Sequence, residues 1–252
     1  MSRRAGAIPL TVLSAAVFIA ACVEVPTGAN DVLSIQFDPL PSPSVVVGDS
    51  LRDTLGVVRG LTITAFNYSG TEVENPQVRF STVDRGIKVD SLTGIVTGDS
   101  VRSGARIFAT LRGLTVTAPL AVVLRPDTVI ESNARDSLSY SVLDTTANVS
   151  APLGVKVLHR TATDTSAVAS YLVSFQIVSP SDTALARLVA DNRARSSLDT
   201  TDASGVAGRR VKLDVTRLTT LVDSVIVNAF VRYRGANVPG SPMRLVLKVK
   251  PQ

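Results

Sequence analysis

Beyond Asn30, apolar and polar side chains alternate through almost every hydrophobic run, a period that an extended strand satisfies and a helix does not. In LTITAF, Leu61, Ile63 and Ala65 share one face; in LTVTAPLAVVL the same parity takes Leu114, Val116, Ala118, Leu120, Val122 and Leu124. RRVKLDV alternates through Val211, Leu213 and Val215, DSVIVNAFVRY through Val225, Val227, Ala229, Val231 and Tyr233, and MRLVLKVK through Leu245, Leu247 and Val249. Turn signals such as Asn67-Tyr68-Ser69-Gly70 and Asp202-Ala203-Ser204-Gly205 separate the runs. A pleated strand with one apolar face has to lay that face on a second sheet, so short strands at this spacing predict two-layer sandwiches. The absence of Trp, with aromatics at 4% and Val and Thr abundant, fits strands built on β-branched residues. Ser181 to Ala194 is the one stretch that also reads as a helix, with Ala184, Leu185, Leu188 and Val189 on one side; strand and irregular loop stay open there.

The amino-terminal segment follows a different rule. Arg3 and Arg4 precede an uncharged run from Ala5 to Ala21 that ends in small residues, the order of a secretory signal. The run is short of the ~20 apolar residues that a spanning helix needs, so a cleaved segment is expected over residues 1–21. The single cysteine, Cys22, stands where the apolar run ends. Ile19-Ala20-Ala21-Cys22 resembles the lipobox of bacterial lipoproteins, and that resemblance implies an acylated Cys22 as the first mature residue. The implied location is exported and lipid-anchored, with Val23 after the cysteine pointing to the outer membrane or cell surface. Each buried methylene contributes about 0.8 kcal/mol, and several acyl chains together hold a protein durably on a membrane. Residues 22–31, with Pro26, Thr27 and Gly28, read as a tether.

The remaining length suits two domains, and the expected fold is all-β, two tandem sandwiches over residues 32–126 and 127–252. In the first, SVVVGDS, LTITAF, VRFSTVD, IKVDSLTGIVTG and SGARIFATLRGLTVTAPLAVVL resemble, in that order, the bacterial immunoglobulin-like domains of group 2. The matching hairpin runs from Val89-Asp90 through Gly94-Ile95-Val96-Thr97-Gly98, and Phe80 replaces the family's usual Trp. The second half resembles the group 1, invasin-type domains in LGVKVL, LVSFQIV and the turn Thr201-Asp202-Ala203-Ser204-Gly205-Val206-Ala207. Both resemblances imply surface or secreted proteins that serve as spacers or binding modules.

Catalytic groups are scarce. His159 is the only histidine and reads as a surface or strand-end residue, with no Gly-x-Ser-x-Gly elbow to supply a triad nucleophile. Neither a P-loop nor a Cys/His zinc set can be assembled, and no cofactor is called for. The acid pairs Asp199/Asp202 and Glu72/Glu74 lie in turn-like segments, where local hydrogen bonding and solubility explain them better than hydrolysis or calcium binding. The expected role is therefore non-catalytic: adhesion or binding to a protein or polysaccharide of the envelope, with a structural spacer as the alternative.

Charge is uneven along the chain. Val23 to Pro126 carries nine Lys/Arg against ten Asp/Glu, and Asp127 to Gln252 fifteen against eleven. Arg193, Arg195, Arg209, Arg210, Lys212, Arg232 and Arg234 form a candidate contact for anionic polymer, weighed against a plain solvated face. No aromatic is interleaved with them as a stacking platform, which argues against nucleic acid.

Overall fold

The computed structural model describes residues 28, 31–133, 135–182, 184–217 and 223–251; the signal-like segment, Cys22 and most of the tether lie outside the described residues. The first group of strands comprises β1 (Ser34–Phe37), β2 (Ser44–Val46), β3 (Ile63–Phe66), β4 (Arg79–Thr82), β5 (Ile87–Val89), β6 (Val96–Gly98), β7 (Arg102–Leu111) and β8 (Leu114–Val123). The second begins with β9 (Thr128–Asn133), β10 (Arg135–Tyr140), β11 (Leu153–Arg160), β12 (Thr165–Ala167), β13 (Leu172–Ser179) and β14 (Ala186–Val189). It continues with β15 (Leu198–Thr200), β16 (Val206–Leu213), β17 (Ser224–Phe230), β18 (Arg232–Tyr233), β19 (Ala236–Asn237) and β20 (Met243–Pro251). Among the described residues the only helical elements are 3-10 turns at Thr145–Ala147 and Val215–Arg217.

The chain is all-β and its strands form sandwiches. In the first group, a sheet in the order β2-β8-β7-β4 is accompanied by the ribbons β1-β3 and β5-β6. The second group forms two facing sheets, β10-β20-β17-β13-β15 and β12-β11-β16-β14, with β9 added on β11 and a small β18-β19 ribbon at one end. Among the described residues no sheet pairs a strand of one group with a strand of the other. Alternation decides the faces: Val225, Val227 and Ala229 of β17 and Leu245 and Leu247 of β20 are fully buried, with polar or half-exposed residues between them. Burying each Val or Leu contributes roughly 1.5–3 kcal/mol, enough for these rows to hold two sheets together. In the first sandwich the corresponding core contains Val45, Leu51, Phe80, Ile107, Leu120 and Val122. Phe80 occupies a buried position, its ring tilted against Phe37 at 6.4 Å.

The segment that could have been a helix contains a strand. β14 pairs antiparallel with β16, Ala186 opposite Leu213 and Leu188 opposite Val211, and both Ala186 and Leu188 enter the core. Helix propensity is a weak prior, and an open edge on β16 outweighs it.

Two turns expected from the sequence are built by one aspartate each. At the β5-β6 hairpin, Val89 faces Val96, and Asp90 Oδ1 accepts from the amides of Leu92 and Thr93 and from Thr93 Oγ1. At the turn before β16, Asp202 Oδ1 accepts from Ser204 N, Ser204 Oγ and Val206 N. Hydrogen bonds from the neighbouring serine, threonine and backbone groups hold both carboxyls below the usual range, so both are ionised caps.

β8 breaks its own alternation at its end. Leu120 and Val122 fill the first core, but Ala121 and Val123 are buried too, and together with Val46 they join the second sandwich's core. The end of β8 therefore packs on both faces and forms the joint between the two bodies.

Candidate functional site

A cluster of charged side chains lies at this joint. Asp49, whose side chain is 5% exposed, accepts from Arg52 through Nε (3.1 Å) and Nη2 (2.9 Å) and from Ser50 N at 2.8 Å. From the other sandwich, Arg234 Nε reaches the same carboxylate at 2.8 Å. Arg234 sits in the β18-β19 turn with its guanidinium 5.2 Å from the Tyr233 ring centroid. Arg52 closes its own loop by donating to Gly56 O at 2.8 Å. Burial works to raise the Asp49 carboxyl, but the two guanidiniums, Ser50 N and Tyr233 outweigh it and hold the carboxyl well below the usual range. Burial also pushes the Tyr171 hydroxyl up; it donates to Arg232 O on the same side of the joint.

A depressed folded-state pKa means that Asp49 contributes stability above the ordinary carboxylate pKa, and that the contribution is lost as pH falls below about 4. Asp49→Asn is therefore expected to lower stability at pH 7, and the gap to wild type should narrow on titration to pH 3. Urea unfolding at the two pH values checks this; a gap that widens toward acid contradicts it.

The linker between β8 and β9 is fastened separately. Asp127 pairs with Arg125 Nε at 2.6 Å, accepts from Arg160 N at 3.0 Å, and meets His159 Nδ1 at 2.6 Å. His159 lies next to the end of β11, as expected for a strand-end residue, and its partners are linker groups, Asp127 and Arg125 O. Among the described residues no serine hydroxyl is a hydrogen-bond partner of His159.

The basic residues singled out in the sequence do not form one patch. Arg209 has the parity of Ala207, Val211 and Leu213, and its side chain is only 12% exposed. It bridges the two sheets to Asp199 of β15 at 2.8 Å, and Asp199 also accepts from Gly208 N. Its place is between the layers, so it is not available to a polymer. Arg234 is held by Asp49 at the joint, and Arg232, near it, lies over Phe230 with 5.1 Å to the ring centroid. Arg210 pairs with Asp191 at 2.8 Å and donates to Ser150 O. Arg193 and Arg195 are exposed around the turn after β14, where Val189 bridges to Arg195. Lys212 stands directly opposite Arg187 of β14, a like-charge pair in antiparallel register. Such pairs are destabilising. Arg187 escaped the sequence reading, although its alternation with Ala186 and Leu188 would have placed it outward.

The acid pairs separate into structural roles. Asp199 holds Arg209 and Asp202 caps its turn, while Glu72 and Glu74 are exposed, Glu72 opposite Phe66 in an isolated bridge. Among the described residues no three His, Cys, Asp or Glu side chains gather as a metal site, and no helix is long and apolar enough to cross a membrane.

A second feature escaped the sequence reading. After β10 the chain projects Val142 and Leu143, 69% and 96% exposed. Their loop is rigidly built: Ser141 N donates to Asn148 Oδ1 and Asn148 Nδ2 to Ser141 O, both at 2.8 Å, with Asn148 fully buried. Ser141 Oγ accepts from the amides of Leu143 and Asp144, and Asp144 caps the following 3-10 turn.

No family model matches the chain, and no curated protein matches it. Among solved structures it is similar to the Yersinia pseudotuberculosis adhesin InvE at 14% identity and a TM-score of 0.30, over 88% of this chain and 61% of that one. It is also similar to domains 4 and 5 of the S-layer protein SbsC, at 13% identity and a TM-score of 0.31, over 87% of this chain and 98% of that one. For human protocadherin-24 EC1-2 the values are 13%, 0.28, 88% and 100%. The chain thus spans less than two thirds of the InvE structure. Nothing about activity or partner passes from these proteins to this chain.

Proposed function

We propose that the chain is an exported bacterial lipoprotein with a non-catalytic binding role. In this reading residues 1–21 are a cleaved signal peptide, Cys22 carries the acyl chains, and residues 22–31 are the tether. Residues 32–126 and 127–252 are then two immunoglobulin-like domains, group 2-like and group 1/invasin-like, presenting a contact surface to a protein or polysaccharide of the envelope.

The observation that supports this role is the placement of the two ends. The tether enters beside the β7-β8 turn, where Asp31 faces Arg112 at 3.7 Å and Leu33 N donates to Phe66 O. From that turn β8 runs its ten residues to the joint, about 30 Å. In the second sandwich β20 continues away from the joint, pairing in parallel with β10 until Tyr140 meets Pro251. The next residues are the rigid loop with Val142 and Leu143. Val142 and Leu143, exposed side by side at the end away from the tether, support a contact surface there. Arg187, Arg210 and Lys212, on the outer face of the second sandwich, offer a subsidiary contact to phosphorylated polymer.

The test is affinity capture from envelope extracts with the acyl-free ectodomain. Leu143→Asp is expected to lower capture at least tenfold, whereas Arg187→Ala with Lys212→Ala should mainly weaken its salt dependence. Capture indifferent to Leu143 removes the loop from the binding surface, and a blank from wild type leaves the spacer role. Incorporation of a palmitate analogue, abolished by Cys22→Ser, checks the anchor independently.

A further inference from the structure

We propose that the cleft at the joint binds a small oxyanion, of phosphate or carboxylate type, between the two sandwiches. The cleft has an open volume of about 70 Å³. That is more than one water needs, so a small polyatomic ion has room. One wall is Ser44 at the start of β2 with Ser42 just before it; the other is Ser174 and Phe230 of the β13-β17 pair with Arg232 of β18.

Two observations point to the ligand. The first is Ser44, 5% exposed, whose Oγ has no hydrogen-bond partner among the described residues although the residue lines the cleft. A buried hydroxyl without a partner costs roughly 1–3 kcal/mol. The Oγ has almost no accessible surface as it stands, so a bound acceptor relieves that cost by drawing the serine rotamer round toward the cleft. The second is charge. Two guanidiniums, Arg52 and Arg234, share the single carboxylate of Asp49, so that group carries surplus positive charge. Asp53, the other acid of the lining, is matched by Arg59 at 3.0 Å. Arg232 adds another cation, its guanidinium laid over Phe230 and its Nε donating to the amide oxygen of Asn237 at 3.3 Å. Packing against the ring pre-orients the planar fork that recognises oxyanions.

The same features disfavour other ligands. A cation would enter a site of surplus positive charge. A sugar would need a ring to stack on, and Phe230 and Tyr233 each already carry a guanidinium over one face. Because Ser44 and Arg232 belong to different sandwiches, the ion would also tie the joint.

Calorimetric titration of the full chain at constant ionic strength tests the site, with inorganic phosphate in one arm and acetate in the other. Saturable binding of one ion per chain is expected in at least one arm, which identifies the oxyanion. Arg232→Gln should weaken it at least tenfold and Ser44→Ala several-fold, while Ser44→Ala without ligand should be no less stable than wild type, since it removes only an unpaired hydroxyl. Absence of saturable binding in both arms overturns the proposal, as does binding unchanged in both variants.

Discussion

Gly56→Val is expected to part the two sandwiches while leaving each folded. Gly56 has φ +83°, and a Cβ there would stand 2.1 Å from Gly235 N and 2.4 Å from Arg234 C. The approach is reciprocal, since a Cβ on Gly235 would lie 2.7 Å from Leu55 O. Two turns thus meet backbone to backbone, one from each sandwich, and no side-chain rotation can relieve the overlap. A left-handed valine costs about 1–2 kcal/mol by itself, but the clash is relieved only by moving the turns apart. That movement also breaks the Arg234–Asp49 contact. Small-angle scattering should report a larger and more variable particle, with the strand signal in circular dichroism retained. Gly70→Val is the matched control: its φ is +76° and nothing lies within 4 Å of its Cβ, so it carries the strain without the collision. Equal scattering profiles for the two variants would show that the turns do not touch in solution.

Gly205→Val should cost the second sandwich about 3–5 kcal/mol, in the range reserved for strain combined with a backbone clash. Here φ is +79°, and the new Cβ would meet Val157 O at 2.7 Å, Ala167 Cβ at 3.1 Å and Val168 N at 3.2 Å. The glycine lets the turn pass close over β11, where Gly205 O accepts from Val157 N at 2.8 Å. Lifting the turn would also disturb buried Thr201, whose Oγ1 donates to Val168 O at 2.6 Å and accepts from Tyr171 N at 2.8 Å. Urea unfolding should show the loss as a lower midpoint; a change below about 1 kcal/mol would mean that the turn accommodates a side chain. The close approach of this turn to β11 is the physical reason for its glycine.

Strands, their inward faces and the two aspartate-built turns were legible in the sequence, because each depends on residues a few positions apart. Arg209 was legible as well: parity with Val211 and Leu213 places it inward, and only its charge suggested solvent. Asp49 and Arg234 could not have been paired in advance, being 185 residues apart with no periodicity to relate them. The same holds for the strand at Ala186–Val189, which exists because β16 offers an edge.

Alternation by itself determined that this chain is all-β and which side of each strand meets a core, since a period of two is a property of the local backbone. Only the tertiary structure decided that Ala121 and Val123 bury their opposite face against the second sandwich, and that two turns interlock over Asp49. The reason is physical: local pattern specifies that an apolar face needs cover, but which distant surface covers it depends on how two finished bodies approach.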